Sequence, residues 1–262
     1  MVSFELSEEQ TLLKETVAAF AAEQIRPIAR DADESGQVPD SVVAKAWELG
    51  LVQSAIPERH GGFGDTRSAV TGAIVLEELG YGDLAVSLHV LAPRLLVYPL
   101  LDHGTEAQQK RLLPAFTGPE FQAGTAAVVE PSMHFDLSAL AASATPEKNG
   151  FVLSGRKVFV PLGDRSETLL VYARRADRPP APTPLDGYRA VDAFLVDRGT
   201  PGLAISGAEK NMGIKALQSH EITLENVRVG ADARLGGDAG IDFARLANRS
   251  RVALGALAVG VA

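Results

Sequence analysis

Helical and β patterning occupy separate blocks of this 262-residue chain, and that order restricts the fold more than any single motif. Up to about residue 118, apolar residues recur at three- and four-residue steps. Leu13, Val17 and Phe20, widened by Leu12 and Ala21, follow Ser7 and Gln10, which have capping-box spacing. Asp40 or Ser41 caps a second helix that carries Val42, Val43, Ala46 and Leu49 and stops at Gly50. A third runs from about Thr66 to Leu79 and ends at Gly80. A fourth, apolar one covers residues 83–101, where Pro93 and Pro99 predict a kink or break. Thr105 and Gln108 repeat the capping box and open a short helix that ends near Phe116. After Gly118-Pro119 the pattern turns to short β-branched and aromatic runs at 121–129, 138–144, 150–160, 168–174, 190–197, 202–206 and 219–228. Asn149-Gly150 marks a hairpin turn, and residues 178–184 read as a rigid, extended surface loop. The helical pattern returns from about Ile241 to Ala262. Segregated blocks predict separate helical and β domains and argue against a βαβ sheet.

Composition removes several function classes. Apolar residues at 46% and charged residues at 22% suit a soluble globular protein. A formal net charge of -8 gives no electrostatic case for nucleic acid or an anionic membrane. The absence of cysteine excludes disulfides and thiolate chemistry. The acidic start MVSFELSEEQ lacks a signal-peptide profile, and no apolar run approaches eighteen residues, so the expected location is cytoplasmic. The five histidines show no metal-ligand spacing, and no metal is expected. His60 reads as a turn residue. Gly61-Gly62-x-Gly64 has neither the preceding strand nor the following Gly-Lys-Ser/Thr of a phosphate loop and reads as a tight turn. Asp31, Asp33 and Glu34 read as a solvated helix end. In the last segment, RSRVALGALAVGVA, the small residues Gly255, Ala258 and Ala262 suit close packing on another helix. No such helix follows, so the expectation is a fragment or a segment that docks elsewhere.

Six segments together resemble the acyl-CoA dehydrogenase family along the whole chain. AWELGLVQSAIPERHGGFG (Ala46 to Gly64), EELGYGD (Glu77 to Asp83) and HGTEAQQKRLLPAF (His103 to Phe116) are similar to its helical signatures. VEPSMHFD stands where the family has Thr-Glu-Pro-x-x-Gly-Ser-Asp, and GRKVFV where it has Gly-x-Lys-x-Trp-Ile-Thr-Asn. KNMGIKALQSHEITLENVRV (Lys210 to Val229) resembles the loop and strand that close its β domain. The resemblance implies an α+β fold: an N-terminal all-α domain (1–118), a middle antiparallel β-barrel or sandwich domain (119–232), and the first helix of a C-terminal helical bundle (233–262). It further implies FAD between the β domain and the bundle, an acyl-CoA or other acyl thioester against the flavin, and a carboxylate base.

Carried over residue by residue, Val128, Val129, Phe135, Phe159 and Pro161 stand at positions equivalent to family FAD contacts. Val129 replaces a flavin-facing Thr, with backbone groups that remain able to bond the ring. Glu130 and Pro131 agree with the family. His134-Phe135 replaces a Gly-Ser pair that admits the cofactor and meets a phosphate, and both rings are expected to pack a closed cleft. Phe159 keeps a flat ring in place of Trp. Pro161 replaces the Thr that bonds flavin N5 and has neither hydroxyl nor N–H. Leu162 replaces Asn, and Leu217-Gln218-Ser219 replaces Ser-Asp-Thr. In one family subset the base precedes an Arg on the bundle's first helix; Ser250 before Arg251 occupies that place, so no catalytic residue is assigned. Arg249 and Arg251 are open between cofactor phosphates and carboxylates of the β domain. Three functions follow: a flavin-degenerate subunit completing a paralogue's site in a homo- or hetero-oligomer, a self-sufficient FAD-dependent acyl-CoA dehydrogenase, or a same-fold flavin monooxygenase.

Overall fold

A computed structural model describes residues 5–64, 67–178 and 182–262. Helix α1 (Glu8–Phe20) starts with the expected capping box, Ser7 and Gln10 exchanging backbone-to-side-chain hydrogen bonds at 3.1 Å. It continues through a π-turn and a 3-10 turn into α2 (Ala29–Ser35), which ends at Gly36 with φ 72°. For α3 (Asp40–Glu48) the cap expectation fails: Pro39 is the N-cap, and Asp40 is already the first helical residue. Helix α4 (Ala69–Gly82) is capped by Ser68; Thr66, expected to open it, lies outside the described residues. This helix also runs through Gly80, where a stop was expected. A Cβ on Gly80 would lie 2.6 Å from the Leu257 carbonyl, so the glycine admits another backbone and terminates nothing.

Pro93 does break the apolar run, into α5 (Leu84–Leu91) and α6 (Arg94–His103), bent by 44°. Pro99 sits inside α6 without interrupting it. The second capping box opens α7 (Glu106–Leu112). Among the described residues no single helix is long and apolar enough to cross a membrane.

One seven-stranded sheet follows: β1 (Thr125–Ala127), β2 (Ser143–Glu147), β3 (Gly150–Pro161), β4 (Thr168–Arg175), β5 (Val191–Asp197), β6 (Leu203–Ala208) and β7 (Ser219–Gly230). Its path is β1-β4-β2-β3-β7-β6, with β5 on β4. Most pairings are antiparallel, as expected, while β1 and β2 run parallel to β4. The runs at 121–129 and 138–144 give shorter or later strands than their composition predicts. The β2–β3 hairpin turns on Lys148-Asn149, pairing Glu147 with Gly150. Of the expected extended loop at 178–184, residues 179–181 lie outside the described residues. Its end starts a helix, α8 (Pro184–Arg189), capped by Thr183 with Pro184 in its first turn.

Strand β4 is buried on both faces, and its side chains divide by alternation. Leu170 and Tyr172 join Trp47, Leu96, Leu100 and Phe116 in a cluster shared by helices and sheet. Leu169, Val171 and Ala173 join Leu153, Phe194 and Ile222 on the other face. Gln108 of α7 ties the segment after β7 down, donating to the carbonyls of Asp232 (2.7 Å) and Arg234 (2.8 Å) and accepting from the Gly236 N–H (3.2 Å). The last helix, α9 (Phe243–Val261), then packs along α4, while Val252, Leu254, Val259 and Val261 stay exposed.

Candidate functional site

The two motifs that begin the β region are joined by a buried ion pair. Lys157 Nζ, on fully buried Lys157, lies 2.8 Å from Glu130 Oε1 and 3.0 Å from the Val128 carbonyl. Glu130, 6% exposed, also accepts from the backbone N–H groups of Ala141 (2.6 Å) and Ala142 (2.9 Å). Burial pushes the Lys157 ammonium pKa down, and Glu130 partly restores it. Breaking such a pair from one side costs about 3–5 kcal/mol. Gly155, with φ 144°, belongs to the same joint, since a Cβ there would meet the Ala142 backbone at 2.7 Å. The Gly, Lys and Glu of the two motifs are therefore scaffold residues.

The positions expected to face flavin flank this joint. Val128 and Val129 are half-buried beyond the end of β1. The Val128 carbonyl is taken by Lys157, and the Val129 carbonyl accepts the Val158 N–H at 2.9 Å. Phe135 packs against the helix–sheet cluster, but His134 is exposed, so only one of the two rings packs as expected. Strand β3 loses register between Lys157 and Val160. There Phe159 adopts φ 54°, is 57% exposed as a residue, and donates its N–H to Glu209 Oε2 at 3.0 Å. Pro161 is half-buried opposite Ser219. Leu162 is fully buried with Ala92 and Ala123, its N–H on the Gln218 carbonyl at 2.9 Å.

The third segment folds onto the helices. Leu217 enters the helical core, and Gln218 Nε2 reaches the Gly36 carbonyl at 3.4 Å. Asp33, expected to be solvated only, accepts the Lys215 N–H at 3.0 Å. A lone carboxylate near a helix end carries no sequence signal for that contact. His60 and the glycines after it do form a tight turn. Cβ atoms on Gly62 and Gly64 would strike the Ile56 and Ser54 carbonyls at 2.1 and 1.6 Å. Ser250 is exposed on α9. Neither neighbouring arginine meets a β-domain carboxylate. Arg249 pairs with Asp102 of α6, which Arg67 also engages, and Arg251 donates to the Tyr188 hydroxyl at 2.8 Å and to Asn248 Oδ1 at 2.9 Å. Among the described residues no group of three or more His, Asp or Glu could hold a metal ion.

FAD, which the resemblance implies, needs a flat apolar contact for its ring and hydrogen-bond partners along the ring's heteroatom edge. Val128, Val129, Phe135, Phe159 and Pro161 offer the first. For the second they offer no polar side-chain atom; Pro161 has no N–H, the Phe159 N–H is engaged by Glu209, and both valine carbonyls are engaged. These residues supply none of the side-chain hydrogen bonds that the resemblance implies for FAD, and only backbone groups such as those of Val129 remain to bond the ring.

Residues 7–120 match the family description "Acyl-CoA dehydrogenase, N-terminal domain", and residues 125–227 match "Acyl-CoA dehydrogenase, middle domain". "Probable medium-chain specific acyl-CoA dehydrogenase 2, mitochondrial" of Caenorhabditis briggsae is 32% identical over 260 residues, 98% of this chain and 62% of its own length. Cyclohex-1-ene-1-carbonyl-CoA dehydrogenase of Geobacter metallireducens is 30% identical over 260 residues, 98% of this chain and 66% of its own. The chain thus spans just under two thirds of these relatives. The structure of butyryl-CoA dehydrogenase from Megasphaera elsdenii superposes with a TM-score of 0.82 at 25% identity, covering 99% of this chain and 67% of that one. With both family domains matched in order and the fold shared, this chain belongs to the acyl-CoA dehydrogenase family.

Proposed function

We propose that this chain is a flavin-degenerate subunit of an acyl-CoA dehydrogenase-type oligomer, serving the α,β-dehydrogenation of an acyl thioester whose working FAD sits in a paralogous subunit. The observation that carries the reading is the division within the two motifs. Residues of the scaffold joint, Gly155, Lys157 and Glu130, are kept, whereas the flavin-facing positions Val129, Phe159 and Pro161 beside them supply no side-chain hydrogen-bond donor. Ser250 adds no carboxylate where one family subset has its base. The scaffold role suits a chain that presents a surface to a partner and leaves the chemistry there.

Exposed Phe159 favours a second reading, a self-sufficient FAD-dependent dehydrogenase that relies on stacking. A visible absorbance spectrum separates the two, taken on the chain alone and with whatever subunit co-purifies. Flavin only in a mixed complex, near half occupancy, supports the subunit reading. About one FAD per chain in the protein purified alone overturns it.

A further inference from the structure

Sulfur in this chain is confined to thioethers: there are three methionines and no cysteine. Met1 lies outside the described residues, and the other two are Met133 and Met212. Methionine is an apolar gap-filler that sorts to protein cores. Both of these do the reverse, at 98% and 101% exposure. Neither projects from a loose backbone. The Ser132 N–H donates to the Glu130 carbonyl at 2.8 Å and the His134 N–H to Ser132 Oγ at 3.2 Å, so the residues on both sides of Met133 are tied. Around Met212, Asn211 Nδ2 donates to Ser219 Oγ at 3.1 Å and the Lys215 N–H to Asp33 Oδ1 at 3.0 Å. A Cβ on Gly213 would meet nothing within 4 Å, so the space beside Met212 is open. The single tryptophan, the other readily oxidised side chain, is buried with its N–H on the Gly118 carbonyl. Each of the two thioethers therefore stands in water on a held backbone, with no packing contact to lose.

We propose that Met133 and Met212 are sites of reversible sulfoxidation whose co-substrate is a hydroperoxide, and that their oxidation leaves the fold intact. The thioether sulfur attacks the distal peroxide oxygen. A sulfur–oxygen bond forms as the oxygen–oxygen bond breaks, the sulfur gives up two electrons, and the departing oxygen takes a proton and leaves as alcohol or water. Return to the thioether takes two electrons from a dithiol, which becomes a disulfide as one water is released. No thiol of the chain competes for the oxidant. Each event makes an apolar surface group polar and spares the core. The proposal needs neither flavin nor a partner and stands apart from the subunit reading.

The experiment treats the purified chain with hydrogen peroxide, with free methionine in the same solution, and follows each site by peptide mass and the fold by thermal melts. Both sites are expected to take up one oxygen atom at a rate within about tenfold of free methionine, because susceptibility follows exposure. The variant with Met133→Leu and Met212→Leu, similar in volume, is expected to fold and to take up oxygen at neither position. Under peroxide the wild-type melting temperature is expected to fall no further than that of this variant, within about 2 °C, as for a change confined to the surface. The two methionine sulfoxide reductases, one for each sulfoxide epimer, are expected to remove the added oxygen when supplied with dithiothreitol. Three results each overturn the proposal: oxidation at either site slower than this range, a wild-type melting temperature that falls further than the variant's by more than this margin, or oxygen that both reductases leave in place.

Discussion

His89 shows at the scale of one residue what burial does when no partner is provided. It lies 3% exposed on α5, tilted against the Phe121 ring at 5.9 Å, and neither ring nitrogen makes a hydrogen bond of good geometry, the Ala216 backbone being near enough only for a weak one. Burial lowers its pKa from 6.5 to about 4, an effect the nearby Ala216 backbone offsets only in part. Between those values the unfolded chain binds a proton that the folded chain refuses. Stability is therefore full above pH 6.5, falls as the pH drops through this window, and levels off below about 4. The shift corresponds to about 3 kcal/mol. His89→Leu, similar in volume, is expected to change stability at pH 7 by less than about 1.5 kcal/mol and to remove most of the loss between pH 6.5 and 4. Urea titrations of both proteins across that range check this; parallel curves would show that His89 does not titrate there. In the sequence His89 sits in an apolar run, so its burial is legible. Its lack of a partner is not, because that depends on Phe121 and Ala216, which come from other segments.

Elements show where periodicity stops being informative. The terminal helix was expected to use Gly255, Ala258 and Ala262 for close packing; it uses another stripe. A Cβ on Gly260 would meet the Glu77 carbonyl at 1.9 Å and the Tyr81 nitrogen at 3.0 Å, and Gly80 answers it from α4. Gly255 has nothing within 4 Å, and Ala258 and Ala262 are exposed. Spacing fixes that a small-residue stripe exists, while the phase depends on how Gln108, the Asp242 cap and Arg249 set the helix down. The two glycines should therefore respond with opposite signs. Gly255→Ala is expected to stabilise by up to about 1 kcal/mol through helix propensity alone. Gly260→Ala must push the two backbones apart, and a destabilisation of about 1–3 kcal/mol is expected. Thermal melts of the two variants decide the phase; equal and favourable shifts would mean that α9 does not cross α4 at Gly260.

For the whole molecule, the fold was legible because helix caps, turn residues and alternation act locally and agree with one another. The site was legible only in part. Pro161 and Val129 announce a loss of donors from their own chemistry, whereas the capture of Val129's carbonyl by Val158 and of Phe159's N–H by Glu209 depends on strand register. If scaffold and face are separable in this way, donors added to the face should act without disturbing the fold. Val129→Thr with Pro161→Thr restores two hydroxyls at half-buried positions and leaves Phe135, which packs into the core, untouched. The double variant is expected to retain flavin on purification to a measurably greater extent than the wild type, at a melting temperature within a few degrees of it. Absorbance near 450 nm against total protein reads the first quantity. An unchanged flavin content in a well-folded double variant would mean that the cofactor is excluded by the shape of the face, with Phe135 the next residue to test, and that its missing hydrogen bonds are a consequence of that exclusion.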